Sequence, residues 1–206
     1  MATTAAVGAC LDLKLSKDEI SNIAYKAEKI VHGTPSGIDN TIATYGGAIL
    51  FKKGDIKQIQ ITSKIPLVIG DSGIERNTAD WVRRVRLRRE RQMAVMTSII
   101  SSIGILVYEG IKLLNRNDLP ALGELMNINQ GLLEAIGVST FELNRLIDAA
   151  RKNGAYGAKL TGAGGGGCMI ALSPEAKQKQ IADAIKRAGG TPLITNISSQ
   201  GVRIEE

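Results

Sequence analysis

Residues 28–40 read Glu-Lys-Ile-Val-His-Gly-Thr-Pro-Ser-Gly-Ile-Asp-Asn, and no continuous helix or strand can pass through them. Gly33 and Gly37 favour turn conformations, while Pro35 lacks a backbone donor and pushes Thr34 out of the helical region. Upstream, Ser16 and Glu19 have the Ser-x-x-Glu spacing of a capping box, and Ile20, Ile23, Ala24, Ala27 and Val31 recur behind it at helical spacing. Glu28 therefore rides the last turn of an amphipathic helix, and the chain folds back on itself after His32. A short loop then delivers Asp39 to the neighbourhood of Glu28 and His32, so that two carboxylates eleven residues apart flank one tight turn. Such a pair suits a polar site, although an Asx-type turn with Asp39 bonding its own backbone accounts for the same residues.

A second constraint lies at Lys159-Leu-Thr-Gly162-Ala163-Gly164-Gly165-Gly166-Gly167-Cys168, where five glycines occupy six positions between two apolar runs, residues 155–160 and 168–172. Glycines there leave backbone amides bare and let a phosphate, or another loop, come within hydrogen-bond reach. The string is not a Walker A motif, which ends in Gly-Lys-Ser/Thr, and it does not open a helix as a dinucleotide fingerprint does. A permissive hairpin turn is the plain alternative.

Between these two stretches the pattern is readable in pieces. Residues 45–51 and 56–61 form a hairpin around Gly54-Asp55. Residues 64–70 form a strand apolar enough at its centre to be covered on both faces, followed by the polar loop Asp71-Ser-Gly-Ile-Glu-Arg-Asn-Thr78, at a strand end where ligand groups are commonly placed, with Thr78 as the N-cap of the next helix. The next helix bears Arg83, Arg84, Arg86, Arg88, Arg89 and Arg91, with Trp81, Val85 and Leu87 turned inward. Such a run can face nucleic acid, but Trp81 is the one aromatic beside it, so a solvated helix face or a protein-partner surface is the expected reading and nucleic acid is not the expected partner. Helices follow over 93–114 and 118–136, then one opened by a Ser139/Glu142 capping box, then strand, glycine loop, strand and a helix capped by Ser173. Residues 191–197 and 201–206 close as strands. This order is that of a ferredoxin-like α+β layer, and it places a domain boundary near Arg91, between residues 1–91 and 92–206.

The string His32-Gly33-Thr34-Pro35-Ser36-Gly37-Ile38-Asp39-Asn40 resembles the HG-x-PSG-x-DN signature of the mevalonate kinases, a branch of the GHMP small-molecule kinases. The glycine loop resembles the third motif of the same family, and Arg76-Asn77-Thr78 is similar to a basic-Asn-Thr turn found there. The resemblance covers essentially the whole chain. It implies an α+β fold with a partial N-terminal α/β domain like domain 2 of ribosomal protein S5, and a ferredoxin-like C-terminal domain. It further implies an ATP-dependent kinase of mevalonate, with a non-catalytic relative that binds a ligand or regulates a partner as the alternative. Asp39 would orient the accepting hydroxyl or take its proton, and Glu28 would hold Mg²⁺. Val31, His32, Ser36, Thr78 and Ala163 would line the acceptor pocket, and Gly162, Gly164, Gly165 and Gly166 would face the nucleotide phosphates. The Asp39 and glycine stretches would meet across one crevice.

The family's phosphate loop, Gly-Leu-Gly-Ser-Ser, has no counterpart in the 206 residues. Ala2-Thr-Thr-Ala-Ala-Val-Gly8 is similar to the small-residue helix that follows that loop, within a helix expected over 1–15. The expectation is a chain that is weak or inactive alone, and that pairs with a missing N-terminal half or with a second copy. A net charge of +6 suits an anionic ligand. Cys10 and Cys168 form no paired motif, and the longest apolar run, residues 99–108, is too short for a bilayer of about 30 Å. Both readings imply a cytoplasmic protein with no membrane segment.

Overall fold

The structure is a computed structural model, and it describes residues 1–32, 36–52, 55–61 and 63–205, the side chains of Val31 and His32 excepted. The chain divides into two units, Met1–Ile61 with Ile197–Glu206, and Thr62–Asn196.

The first unit opens with α1 (Ala2–Cys10), shorter than expected, on which Leu15 packs so closely that a Cβ at Gly8 would lie 2.7 Å from Leu15 Cδ1. The capping box of α2 (Lys17–His32) forms as read: the Ser16 amide donates to Glu19 Oε2 at 2.8 Å and the Glu19 amide to Ser16 Oγ at 3.3 Å. The Ser16 amide, and the Ser16 hydroxyl donating to the same oxygen at 2.8 Å, hold the Glu19 carboxyl below the usual range. The inward stripe is narrower than the sequence pattern. Ile20, Ser21 and Ala24 are buried, whereas Ile23 and Ala27 are exposed.

Helix α3 (Ile38–Tyr45) lies against α2, tied by Asn40 Nδ2 donating to Ser21 Oγ at 2.9 Å and by the Tyr45 hydroxyl donating to Asp18. A hairpin follows, β1 (Ala48–Lys52) with β2 (Asp55–Ile59), in antiparallel register Ala48↔Ile59. Residues 53 and 54 of its expected turn lie outside the described residues. Residues 201–205 form no strand, contrary to expectation. Their backbone is bonded instead to the end of α3, Val202 N to Thr44 O at 3.1 Å, and Gly201 lies so close to Thr44 O that a Cβ would sit 2.0 Å away.

The second unit is built on an antiparallel sheet whose spatial order is β4 (Gly157–Leu160), β5 (Cys168–Leu172), β3 (Pro66–Asp71), β6 (Thr191–Asn196). With α4 (Thr78–Arg91), α5 (Met93–Asn115), α6 (Leu119–Ile136) and α7 (Phe141–Lys152) between β3 and β4, and α8 (Gln178–Arg187) between β5 and β6, this is the ferredoxin-like order with an enlarged first crossover. The expected boundary near Arg91 separates β3 from the sheet to which it belongs. The unit begins at Thr62 because Val68 pairs with both Ala171 and Ile194, making β3 an inner strand. Only one face of β3 is sealed, since burial alternates along it. That face contributes Val68, with Ala158, Leu160, Met169 and Ala171, to a core closed by Leu143, Leu146 and Ile147 of α7 and Ile181 and Ile185 of α8.

Three helix starts differ from the sequence reading by local competition for donors. Asn77, not Thr78, caps α4 by accepting from the Ala79 amide at 3.0 Å. Thr140, not Ser139, caps α7, because Ser139 Oγ is bonded to Gln130 and Asn144. Ser173 is buried and caps nothing. A 3₁₀ turn over Glu175–Lys177 precedes α8. Leu87 is 41% exposed, contrary to its expected inward orientation, while Trp81 and Val85 are half-buried as expected.

At the sheet edge, α6 takes the place of a fifth strand. Gln130 Oε1 accepts from the Leu160 amide at 2.9 Å and Asn127 Oδ1 from the Ala158 amide at 3.1 Å, so side-chain amides cover an otherwise open edge.

Candidate active site

In the first unit the carboxylates stand on the packed pair α2 and α3. Glu28 is half-buried and follows Ser21 and Ala24 at intervals of seven and four residues, on the one helix face that turns inward. Gly37 adopts φ +85° as the residue before α3, and a Cβ there would lie 3.5 Å from the Tyr25 ring, which places the returning chain alongside α2 one turn before Glu28. Asp39 is therefore carried by the first turn of α3, exposed, and not by a loop. Ser36, also exposed, accepts from the Ile38 amide at 3.3 Å. The backbone of Val31 and His32 ends α2, and their side chains lie outside the described residues. Asn40 Oδ1, beside Asp39, is buried with no described donor.

In the second unit the glycine loop joins β4 to β5, closed at its base by the Thr161 amide donating to Cys168 O at 3.0 Å. All five glycines have positive φ, which other L-residues rarely tolerate. Their bareness serves protein packing first. A Cβ at Gly164 would fall 2.1 Å from Val138 O, at Gly165 2.0 Å from the Trp81 indole, and at Gly166 2.6 Å from Ile74 O. The Gly165 amide donates to Val138 O at 2.8 Å and the Gly167 amide to Ile74 O at 3.0 Å. Of the glycines expected on the phosphate side, Gly162, Gly164 and Gly166 keep amides with no acceptor among the described residues, as does Ala163, whereas that of Gly165 is committed.

Arg76 holds this loop, a role its place in the basic-Asn-Thr turn did not disclose. Its Nη1 faces the carbonyls of Thr161, Gly164 and Gly166 at 3.4, 3.3 and 2.8 Å, and it occupies the space a side chain at Gly162 would need. Trp81, one turn into α4, packs on Gly165. Thr78 is exposed at the start of α4. Cys168 ends the loop with a thiol pushed up by burial and by nearby Asp71. Lys159 enters it half-buried, its ammonium donating to Leu160 O at 2.7 Å and pushed down by desolvation.

Glu28, Ser36 and Asp39 are thus grouped in the first unit, and Thr78, Ala163 and the glycines in the second. Among the described residues no three His, Cys, Asp or Glu side chains gather into a cation site. That donor set still fits Mg²⁺, which keeps several waters and takes one or two carboxylates with the oxygens of a bound phosphate.

Two family models match the chain: the GHMP kinases N terminal domain over residues 1–47, and the GHMP kinases C terminal model over residues 111–191. Mevalonate kinase of Pyrococcus abyssi is 48% identical over 211 residues, covering 100% of this chain and 62% of that protein. Among solved structures, L. major mevalonate kinase in complex with R-mevalonate superposes with a TM-score of 0.90 at 31% identity, covering 96% of this chain and 63% of that one. Methanococcus jannaschii mevalonate kinase superposes at 0.82 with 28% identity, over 94% and 60% of the two chains. The chain spans 62% of the length of the first of these relatives. The matched segments hold both the α2–α3 turn with its carboxylates and the glycine loop, and the chain belongs to the GHMP kinases.

Proposed function

We propose that this chain serves ATP-dependent phosphorylation of mevalonate at its primary hydroxyl. The observation that carries the reading is its likeness, over nearly all its residues, to a mevalonate kinase holding R-mevalonate. Asp39 orients the hydroxyl and accepts its proton as the oxygen bonds to the γ-phosphorus and the bond from that phosphorus to the ADP oxygen breaks. Thr78, Ala163, Ser36, Val31 and His32 hold the acceptor. The free amides of Gly162, Gly164 and Gly166 donate to phosphate oxygens, kept in place by Arg76. Glu28 would hold Mg²⁺, which when bound neutralises charge on the transferring phosphates. His32 is the only histidine and contacts substrate without serving as base.

The cytoplasm is the proposed compartment, in keeping with two free cysteines. A second copy of the chain is the proposed protein partner, since α5 leaves Met93, Ile100 and Val107 exposed.

The test is phosphoryl transfer from ATP to R-mevalonate by the 206-residue chain, alone and with an added fragment carrying a Gly-Leu-Gly-Ser-Ser loop. Activity is expected to be weak alone and restored by the fragment. Asp39→Asn is expected to lower the restored kcat by about a hundredfold or more with an unchanged circular dichroism spectrum. No transfer in the complemented mixture would remove the kinase reading, and an unchanged kcat in Asp39→Asn would remove Asp39 from it.

A further inference from the structure

Apart from the residues placed in phosphoryl transfer, α4 borders a cleft of about 360 Å³ lined by Trp81, Arg84, Val85, Arg88, Arg91 and Ile136. The three arginines and the indole recur along one side of α4, at intervals of three, four and three residues. Their charges are positioned but not neutralised. Arg84 lies with its Cζ 4.8 Å from the centroid of the Trp81 ring, and Arg88 Nη1 donates to the Ile136 carbonyl at the end of α6. Neither anchor carries a negative charge. Among the described residues no carboxylate lines the cleft and none lies within ion-pair distance of Arg84, Arg88 or Arg91.

A guanidinium has five N–H donors in a planar fork, and those of Arg84 and Arg88 are held with most of them unused. Anchored guanidiniums without a carboxylate partner, exposed on a cleft also lined by half-buried Val85 and buried Ile136, match an anion with tetrahedral oxygens. The volume suits a small ligand and falls in the range of small-molecule sites. We infer that this cleft is a binding site for a small ligand carrying a phosphate or diphosphate group.

Trp81 is the chain's only tryptophan, so its fluorescence reports on the cleft and also on the glycine loop it packs against, and the paired variants below separate the two. The full 206-residue chain is titrated with inorganic pyrophosphate at near-physiological salt, and calorimetry repeats the titration independently of the indole. A saturable response is expected. Arg84→Gln with Arg91→Gln is expected to weaken it about tenfold or more. Arg83→Gln with Arg86→Gln removes the same charge outside the cleft and is expected to change it by about twofold or less. Arg88 is left intact because it also holds the end of α6. Thermal midpoints verify that each variant is folded. A response that never saturates overturns the site, as does equal weakening in the two double variants, which marks diffuse attraction to a basic helix. Tighter binding of a single-stranded oligonucleotide, weakened equally by both pairs, also overturns it in favour of a nucleic-acid surface.

Discussion

A single nitrogen of Arg76 faces three carbonyls of the glycine loop, and a guanidinium so placed fixes where the neighbouring amides point. Arg76→Ala is expected to cost about 2 kcal/mol in urea unfolding and to speed hydrogen exchange at residues 162–167. Arg76→Lys should not restore protection, since an ammonium is a point charge without a planar fork. Unchanged exchange in Arg76→Ala would show that the loop holds itself. Lys159 makes the opposite contribution. Burial lowers its pKa from the ordinary 10.5, so between the lowered folded value and 10.5 the unfolded chain binds more protons and stability rises with pH. Below that window both states are protonated and the cost of burying the charge is fully present. Lys159→Met is therefore expected to be more stable than the parent chain at about pH 7, with the gap closing as pH approaches about 10. Urea midpoints measured across that range decide it, and parallel curves would exclude Lys159 as the source.

Secondary-structure elements were legible where their determinants are local. Ser16 and Glu19 sit in one turn and satisfy each other, so that start was readable. The starts of α4 and α7 shifted by one residue because a neighbouring Asn or Thr took the amide. Helix α5 shows what periodicity alone leaves ambiguous. At 23 residues it is long and apolar enough to cross a membrane, contrary to the expectation that no segment would be. Its Met96, Ile99 and Ile103 face the core, and buried Gly110 packs on Leu122 of α6. A second line, Met93, Thr97, Ile100, Gly104, Val107 and Ile111, alternates steps of four and three, the spacing of a helix-pairing seam. Nothing lies within 4 Å of a Cβ at Gly104, so another helix can approach closely there. Pairing of α5 with α5 of a second copy is the expected use. Ile100→Lys with Val107→Lys should convert a dimer to a monomer in sedimentation velocity. A parent chain that is monomeric at high concentration would count against it.

At the scale of the molecule, the sheet decides which residues fold together. β3 lies between β5 and β6, and Gln178 Nε2 donates to both Leu67 O and Thr195 O at 3.1 Å, locking α8 across the two strands. A fragment of residues 62–196 is therefore expected to unfold cooperatively in urea. One of residues 92–206 lacks the inner strand and is expected to show a broad, weak transition. Equal cooperativity in the two would return the boundary to Arg91.

The sequence by itself determined the local features: the cap of α2, the break after His32, the bare residues 162–167 between two strands, and two strings specific enough to name a family. Each is set by residues within a turn or two of one another, or by conformations open only to glycine. Only the tertiary structure decided that β3 joins strands a hundred residues later, that Arg76 and Trp81 occupy the space the glycines leave, and that Asp39 rides a helix. Those outcomes depend on hydrogen bonds and packing between segments far apart in the chain, for which no spacing along a single segment carries a signal.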